Sequence, residues 1–196
     1  MRQSTISRKT GETSIELTLR LDTDGKVRAQ TDVLFLDHML DALGRHGRFD
    51  LTVTASGDVR MDPHHTVEDV GIVLGQAFKA ALGDRAGIAR YGSAYAPLDE
   101  ALARVVIDCS GRPFLEFNAR MPEALIGHDF ASSLIEEFWR AVAMNAGFTL
   151  HIDLIRARNA HHAAEAIFKA AAVAMREAFV TMGPASSIPS TKGVLE

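Results

Sequence analysis

An internal repeat constrains this chain more than any other feature. The run Asp62-Pro63-His64-His65-Thr66-Val67-Glu68-Asp69 returns 97 positions later as Asn159-Ala160-His161-His162-Ala163-Ala164-Glu165-Ala166. Each copy opens on a good helix N-cap, Asp62 or Asn159, and continues into helix-forming residues, so both histidine pairs are predicted in the first turn of a helix. At about 100° per residue the glutamate lies roughly 40° from the first histidine and roughly 60° from the second, which sets one carboxylate between two imidazoles. Adjacent helical histidines diverge by about 100° and grip a single ion poorly. Each unit therefore reads as half a metal site, and two such units build two metal centres more readily than one.

The repeat reaches beyond the histidines. His46-Gly47-Arg48-Phe49-Asp50-Leu51-Thr52-Val53 matches Asn145-Ala146-Gly147-Phe148-Thr149-Leu150-His151-Ile152 at an offset of 99, and the loop before the second pair is two residues shorter. Carried back through the preceding helix, that offset sets His38 opposite Glu137, and Glu12 and Glu100 each open a strand. Hydrophobic periodicity predicts strands over 15–21, 49–54, 100–108, 114–117 and 148–152, and helices over 33–46 and 132–145 and after each histidine pair, with a loop from Arg90 through Pro97. The expected fold is α+β: one domain over residues 1–196, built of two repeats of a sheet with helices on one face (about 1–92 and 93–182), related by a pseudo-twofold axis and followed by a C-terminal tail, 183–196.

Composition limits the chemistry. The only cysteine, Cys109, forms no internal disulfide and reads as core, so any metal must bind nitrogen and oxygen. A net charge of −4 without a basic run argues against nucleic acid or membrane as the main partner. No apolar run of about 18 residues occurs and the start lacks a signal peptide, so a cytoplasmic protein is expected.

The paired positions give eight candidate ligands: His38, His64, His65, Glu68, Glu137, His161, His162 and Glu165. Five imidazoles and three carboxylates suit two six-coordinate sites completed by substrate or water; manganese fits such a set first, and iron, cobalt or zinc also fit. His46, His128 and His151 read as structural or solvated. Lys169 lies two turns beyond His161 on the same helix, and Lys192 sits in a Ser190-Thr191-Lys192-Gly193 tail suited to folding over an anion. On these residues alone, a dinuclear metallohydrolase acting on a phosphoester and a metal-stabilised structural shell remain open.

Further motifs span the whole chain: Phe35-Leu36-Asp37-His38-Met39-Leu40, the run from Asp62 to Asp69, Leu98-Asp99-Glu100, Ser110-Gly111-Arg112-Pro113, His161-His162 through Phe168-Lys169-Ala170, and Pro189-Ser190-Thr191-Lys192-Gly193. With these the sequence resembles the monofunctional imidazoleglycerol-phosphate dehydratases of histidine biosynthesis. The resemblance implies a duplicated fold similar to the second domain of ribosomal protein S5, two Mn(2+) per active site shared between subunits, and a homo-oligomeric shell of roughly 24 subunits. It implies a hydro-lyase that dehydrates D-erythro-1-(imidazol-4-yl)glycerol 3-phosphate to 3-(imidazol-4-yl)-2-oxopropyl phosphate through a dimetal-bound imidazolate. Glu12 matches the family's glutamate near the substrate carbons and is the candidate acid/base, with Glu100 next in line, and His38 is the candidate for a ligand that exchanges with substrate. Arg90, Arg112, Lys169, Ser190, Thr191 and Lys192 match phosphate or substrate contacts. At Glu137 part of the family has histidine, a departure that bears on metal preference.

Overall fold

The computed structural model describes residues 2–184 and residue 190. The first repeat runs β1 (Gln3–Lys9), β2 (Thr13–Arg20), β3 (Val27–Gln30), α1 (Leu34–Gly47), β4 (Asp50–Gly57) and α2 (His64–Leu82). The second runs β5 (Tyr91–Leu98), β6 (Ala101–Asp108), β7 (Phe114–Asn118), α3 (Leu134–Ala146), β10 (Thr149–Arg156) and α4 (Ala160–Ala178), with a short hairpin of β8 (Leu125–Ile126) and β9 (Phe130–Ala131) inserted before α3. The sheet orders β1-β2-β4-β3 and β5-β6-β10-β7 correspond strand for strand. In each, the first three strands are antiparallel neighbours and the last pair, β3 with β4 or β7 with β10, is parallel. The duplication is thus one of topology as well as motif.

Alternation drives the central strands. Ile15, Leu17 and Leu19 of β2 and Ala103, Val105 and Ile107 of β6 point into the core, while their neighbours along each strand lie toward solvent. Helices α1 and α2 cover the inner face of one sheet and α3 and α4 that of the other, with α2 packed on α3 and α1 on α4. Gly71 and Gly75 make the α2–α3 crossing close: a Cβ at Gly71 would lie 2.8 Å from the Phe138 carbonyl oxygen, and one at Gly75 2.7 Å from that of Val142. Phe49 and Phe148, equivalent in the two repeats, both meet Phe78 and Phe179, at ring separations of 5.5 to 6.1 Å. Cys109 is buried, as its isolation in the sequence suggested, and burial pushes its thiol up to about 12.

Two sequence expectations are corrected. The segment from Arg90 through Pro97 is not a loop but contains strand β5. Its inner positions are the small residues Gly92, Ala94 and Ala96, which hide the alternation, and Pro97 is tolerated because β5 is an edge strand. The cap position of α2 is Pro63 rather than Asp62, although the Asp62 carboxylate still accepts the His64 N–H at 3.0 Å; Asn159 caps α4 as expected, accepting the His162 N–H at 3.0 Å. Among the described residues no helix is long and apolar enough to cross a membrane.

Candidate metal centre and anion-binding cluster

The first two turns of α4 carry His161, His162 and Glu165. Because α1 packs on α4, His38 joins them from the other repeat. The donor atoms of His38, His161 and Glu165 lie within 4.8 Å of one another, the one group of three His, Cys or carboxylate donors that closes this tightly among the described residues. One oxygen of Glu165 stands 3.2 Å from Nε2 of both His38 and His161, and the other is 2.6 Å from Lys169 Nζ. Burial alone would raise the Glu165 carboxyl, but the hydrogen bond and charge of Lys169, with those of His38, outweigh it and hold the group below its ordinary value. Phe35 stacks near His161 (5.3 Å) and Phe130 (4.8 Å), forming an apolar wall beside the cluster. His162 diverges as helical geometry requires and gives its Nδ1 to Glu100 Oε2 at 2.9 Å. That bond raises the imidazole above its ordinary value and lowers Glu100 to about 2.

The first turn of α2 repeats the arrangement with changes. His64 Nε2 lies 3.7 Å from Glu68, and His65 Nδ1 lies 3.0 Å from Asp58 and 3.8 Å from Glu12. The Asp58 hydrogen bond raises His65 above its ordinary value. Glu137 stands on α3 where His38 stands on α1, yet it lies outside the tight cluster. Two residues passed over in the sequence reading complete this end. Asp58 lies in the stretch that leads from the strand over 49–54 to the first histidine pair and had no role in the sequence reading. Asp69, seen only as the end of a motif, is buried and takes Arg8 Nε at 2.9 Å and the Thr13 hydroxyl, tying the β1–β2 turn that bears Glu12 to α2. A buried aspartate on an otherwise apolar helix face was the signal available for it.

Arg90 and Arg112 meet elsewhere. Arg90 Nε pairs with Asp108 at 2.7 Å, and Arg112 approaches the same carboxylate at 3.8 Å. The hydrogen bond to Asp108 holds the Arg90 guanidinium above its ordinary value. Asp108 ends β6, whereas Glu100 precedes its first residue, so at about 3.3 Å per residue the two ends are separated by roughly 25 Å. Within one chain the arginine pair and the Glu100–His162 pair therefore occupy opposite ends of the second sheet. Lys169 lies beside Glu165. Ser190 is described and partly buried; Thr191 and Lys192 lie outside the described residues.

A donor set of imidazoles and carboxylates without thiolate suits a divalent transition metal, and the Glu165 cluster has the spacing to hold one. Fold and site together define the class: an internally duplicated α+β protein with clustered histidine and carboxylate donors at the helix N-termini of both repeats. Residues 31–175 match the family described as imidazoleglycerol-phosphate dehydratase. Relatives with that description include the proteins of Polynucleobacter necessarius subsp. necessarius, 55% identical with all of both chains covered, and Nitrosomonas europaea, 54% identical over 100% of this chain and 99% of the relative. Among solved structures, the dehydratase from Staphylococcus aureus subsp. aureus N315 superposes with a TM-score of 0.83 at 41% identity, covering 92% of this chain and 99% of that one. The Pyrococcus furiosus enzyme in complex with (S)-C348 also scores 0.83, at 36% identity over 97% and 100%. This chain belongs to the imidazoleglycerol-phosphate dehydratase family, lyases of histidine biosynthesis.

Proposed function

We propose that this chain eliminates water from D-erythro-1-(imidazol-4-yl)glycerol 3-phosphate, giving 3-(imidazol-4-yl)-2-oxopropyl phosphate, at a two-metal site completed between copies of the chain in the cytoplasm. The observation that carries the reading is the convergence of His38, His161 and Glu165 within 4.8 Å. His162 would add to the donors from α4; His64, His65 and Glu68 would supply those from α2, with Glu137 presenting a further carboxylate from α3. Two divalent cations, manganese first for an all-nitrogen and oxygen set, would be held by these donors and, when bound, would supply Lewis-acid charge that favours the anionic form of the substrate ring and the departure of the hydroxyl.

The protein's own groups handle the protons. The carbon next to the leaving hydroxyl has no carbonyl to acidify it, so removing its proton needs a positioned base. Glu12 is suited to be that base, because it is exposed and stands near His65 without a hydrogen bond to it. The hydroxyl leaves as hydroxide and the adjacent carbon's proton passes to Glu12, which together make up the water lost; the enol left behind gains a proton on carbon and gives up its hydroxyl proton to become the ketone. Glu100, the second candidate, is committed to His162 and to two backbone N–H groups and serves better as an orienting group. Arg90 and Arg112, with Ser190, Thr191 and Lys192, are assigned to the phosphate, and Lys169 to the metal end of the substrate. Since roughly 25 Å separates the arginines from the Glu100–His162 pair in one chain, no three-carbon phosphate bridges them, and a second copy must bring its arginines to the first copy's donors. This supports a homo-oligomer, for which the family resemblance suggests roughly 24 subunits.

The test is an anaerobic assay with manganese and the substrate, following ketone and inorganic phosphate together. Ketone without phosphate release is expected; phosphate without ketone would move the chain to the hydrolases. A triazole phosphonate should inhibit far better than an alkyl phosphonate of equal length, and equal inhibition would reject the imidazolate step. Glu12→Gln should keep its metal and lose most turnover.

A further inference from the structure

Resting on the two-metal reading above, we infer that Asp58 is a positioning residue: in the first repeat it orients the second histidine as Glu100 does in the second repeat, and so leaves Glu12 uncommitted for proton transfer. Glu12 and Glu100 are equivalent. Each immediately precedes the second strand of its repeat, β2 or β6, and each strand pairs antiparallel with the strand that leads to a histidine helix. Their side chains nevertheless do different things.

In the second repeat all of Glu100 is used. One oxygen takes the Nδ1–H of His162 at 2.9 Å, and the other takes the backbone N–H groups of Arg158 and Asn159 at 3.2 and 3.0 Å. The Glu100 side chain is 20% exposed. In the first repeat Glu12 stops 3.8 Å short of His65 Nδ1 and its side chain is 58% exposed. The missing bond is made by Asp58 Oδ2, 3.0 Å from the same nitrogen. Asp58 sits in the longer of the two loops that precede the histidine pairs, where its carbonyl receives the N–H of Met61 at 2.8 Å and of Asp62 at 3.3 Å. At the 99-residue offset its counterpart is Ala157, which has no carboxylate to offer.

Two further observations give this difference direction. Among the described residues the buried Asp58 Oδ1 has no hydrogen-bond partner, a cost that a role beyond folding explains. Glu12 is kept beside His65 by a strap that does not use its carboxylate, since Thr13 donates to Asp69 and Asp69 also holds Arg8. An imidazole whose Nδ1–H is fixed by a carboxylate presents Nε2 as the ligating lone pair. Asp58 supplies that orientation for His65, and the carboxylate that would otherwise supply it stays free.

Manganese titration of metal-free protein, followed by the electron paramagnetic resonance of the free ion, tests this together with turnover at saturating manganese. Glu12→Gln alone should leave manganese affinity unchanged. Asp58→Ala should lower turnover to the level of Glu12→Gln, because Glu12 is drawn onto His65, while the Asp58→Ala, Glu12→Ala double variant, which leaves no acceptor for the His65 Nδ1–H, should bind manganese about 10–100-fold more weakly, as Glu100→Ala should alone. Asp58→Asn, which keeps an acceptor for Nδ1–H, should retain more turnover than Asp58→Ala, and it carries the comparison if the alanine variant folds poorly. Wild-type turnover in Asp58→Ala, or a double variant whose manganese affinity stays within about threefold of wild type, would overturn the assignment. Absence of ketone from the wild-type protein would instead sink the dehydratase reading, and the manganese titration reports on Asp58 either way.

Discussion

Within each histidine pair the two rings have different partners: the first faces the glutamate four residues on, the second a carboxylate from outside its helix. The second kind of pair sets how the metal-free protein responds to pH. Hydrogen bonding to His162 holds Glu100 at about 2 against an ordinary 4.5, and the same bond raises His162 above its ordinary 6.5. A carboxyl lowered on folding contributes stability above its unfolded value and loses it as pH falls through the folded one. An imidazole raised on folding contributes below its unfolded value and loses it as pH rises through the folded one. The Glu100–His162 pair should therefore stabilise the metal-free chain fully between pH 4.5 and 6.5 and progressively less on either side. The check is the difference in thermal unfolding midpoint between wild type and Glu100→Gln after chelation, measured across pH. A difference independent of pH would show that the pair does not titrate as a unit.

At the scale of elements, the α2–α3 crossing sets two principles against each other. Replacing a helix-interior glycine by alanine adds up to about 1 kcal/mol of helix propensity, but a Cβ at Gly75 would meet the Val142 carbonyl oxygen at 2.7 Å and Asn145 Cβ at 2.8 Å. Backbone does not yield as a side-chain tip does, so overpacking of about 1–3 kcal/mol should win. Gly75→Ala should lower the unfolding midpoint in denaturant; a higher midpoint would mean that the helices separate freely. The same packing explains what was legible in the sequence. Strands β2, β4 and β6 each bury one face and announced themselves by alternation. β1 and β3 are partly exposed on both faces, and β5 turns only small residues inward, so none of the three leaves a hydrophobic signature. Of the cluster, His161 and Glu165 were legible from the repeated spacing on α2 and α4, His38 was a candidate through its equivalence to Glu137, and the packing of α1 on α4 brings it to them. Asp58 was not legible, because its contact with His65 runs through a loop whose length differs between the repeats. Lys169 was read as an anion contact, although its i,i+4 spacing from Glu165 was the signal available for their pairing.

For the whole molecule, the separation of the two clusters governs behaviour. The arginine pair at the end of β6 stands apart from the Glu100–His162 end of the same strand, and the second sheet exposes Tyr91, Tyr95, Phe114 and Ile155. If metal joins copies through these parts, binding to the assembled state alone stabilises it by mass action, about 4 kcal/mol per site when free metal is at roughly a thousand times its dissociation constant. Removing the metal withdraws that term from every site at once, so assembly should fail cooperatively rather than fray. Light scattering on a sizing column should show the large particle shrinking to smaller species on chelation and re-forming when manganese is restored. Glu165→Gln, which removes the carboxylate closest to both His38 and His161, should sit in the smaller form even with manganese present, because a neutral amide neither balances the ion's charge nor bridges the two imidazoles. On the proposed reading, in which the Arg112 guanidinium would serve the anion and not the donors, Arg112→Ala should assemble normally and keep its metal. A large particle that persists without metal would locate the assembly energy in the apolar surfaces instead, and metal loss in Arg112→Ala would join the two clusters that the fold keeps apart.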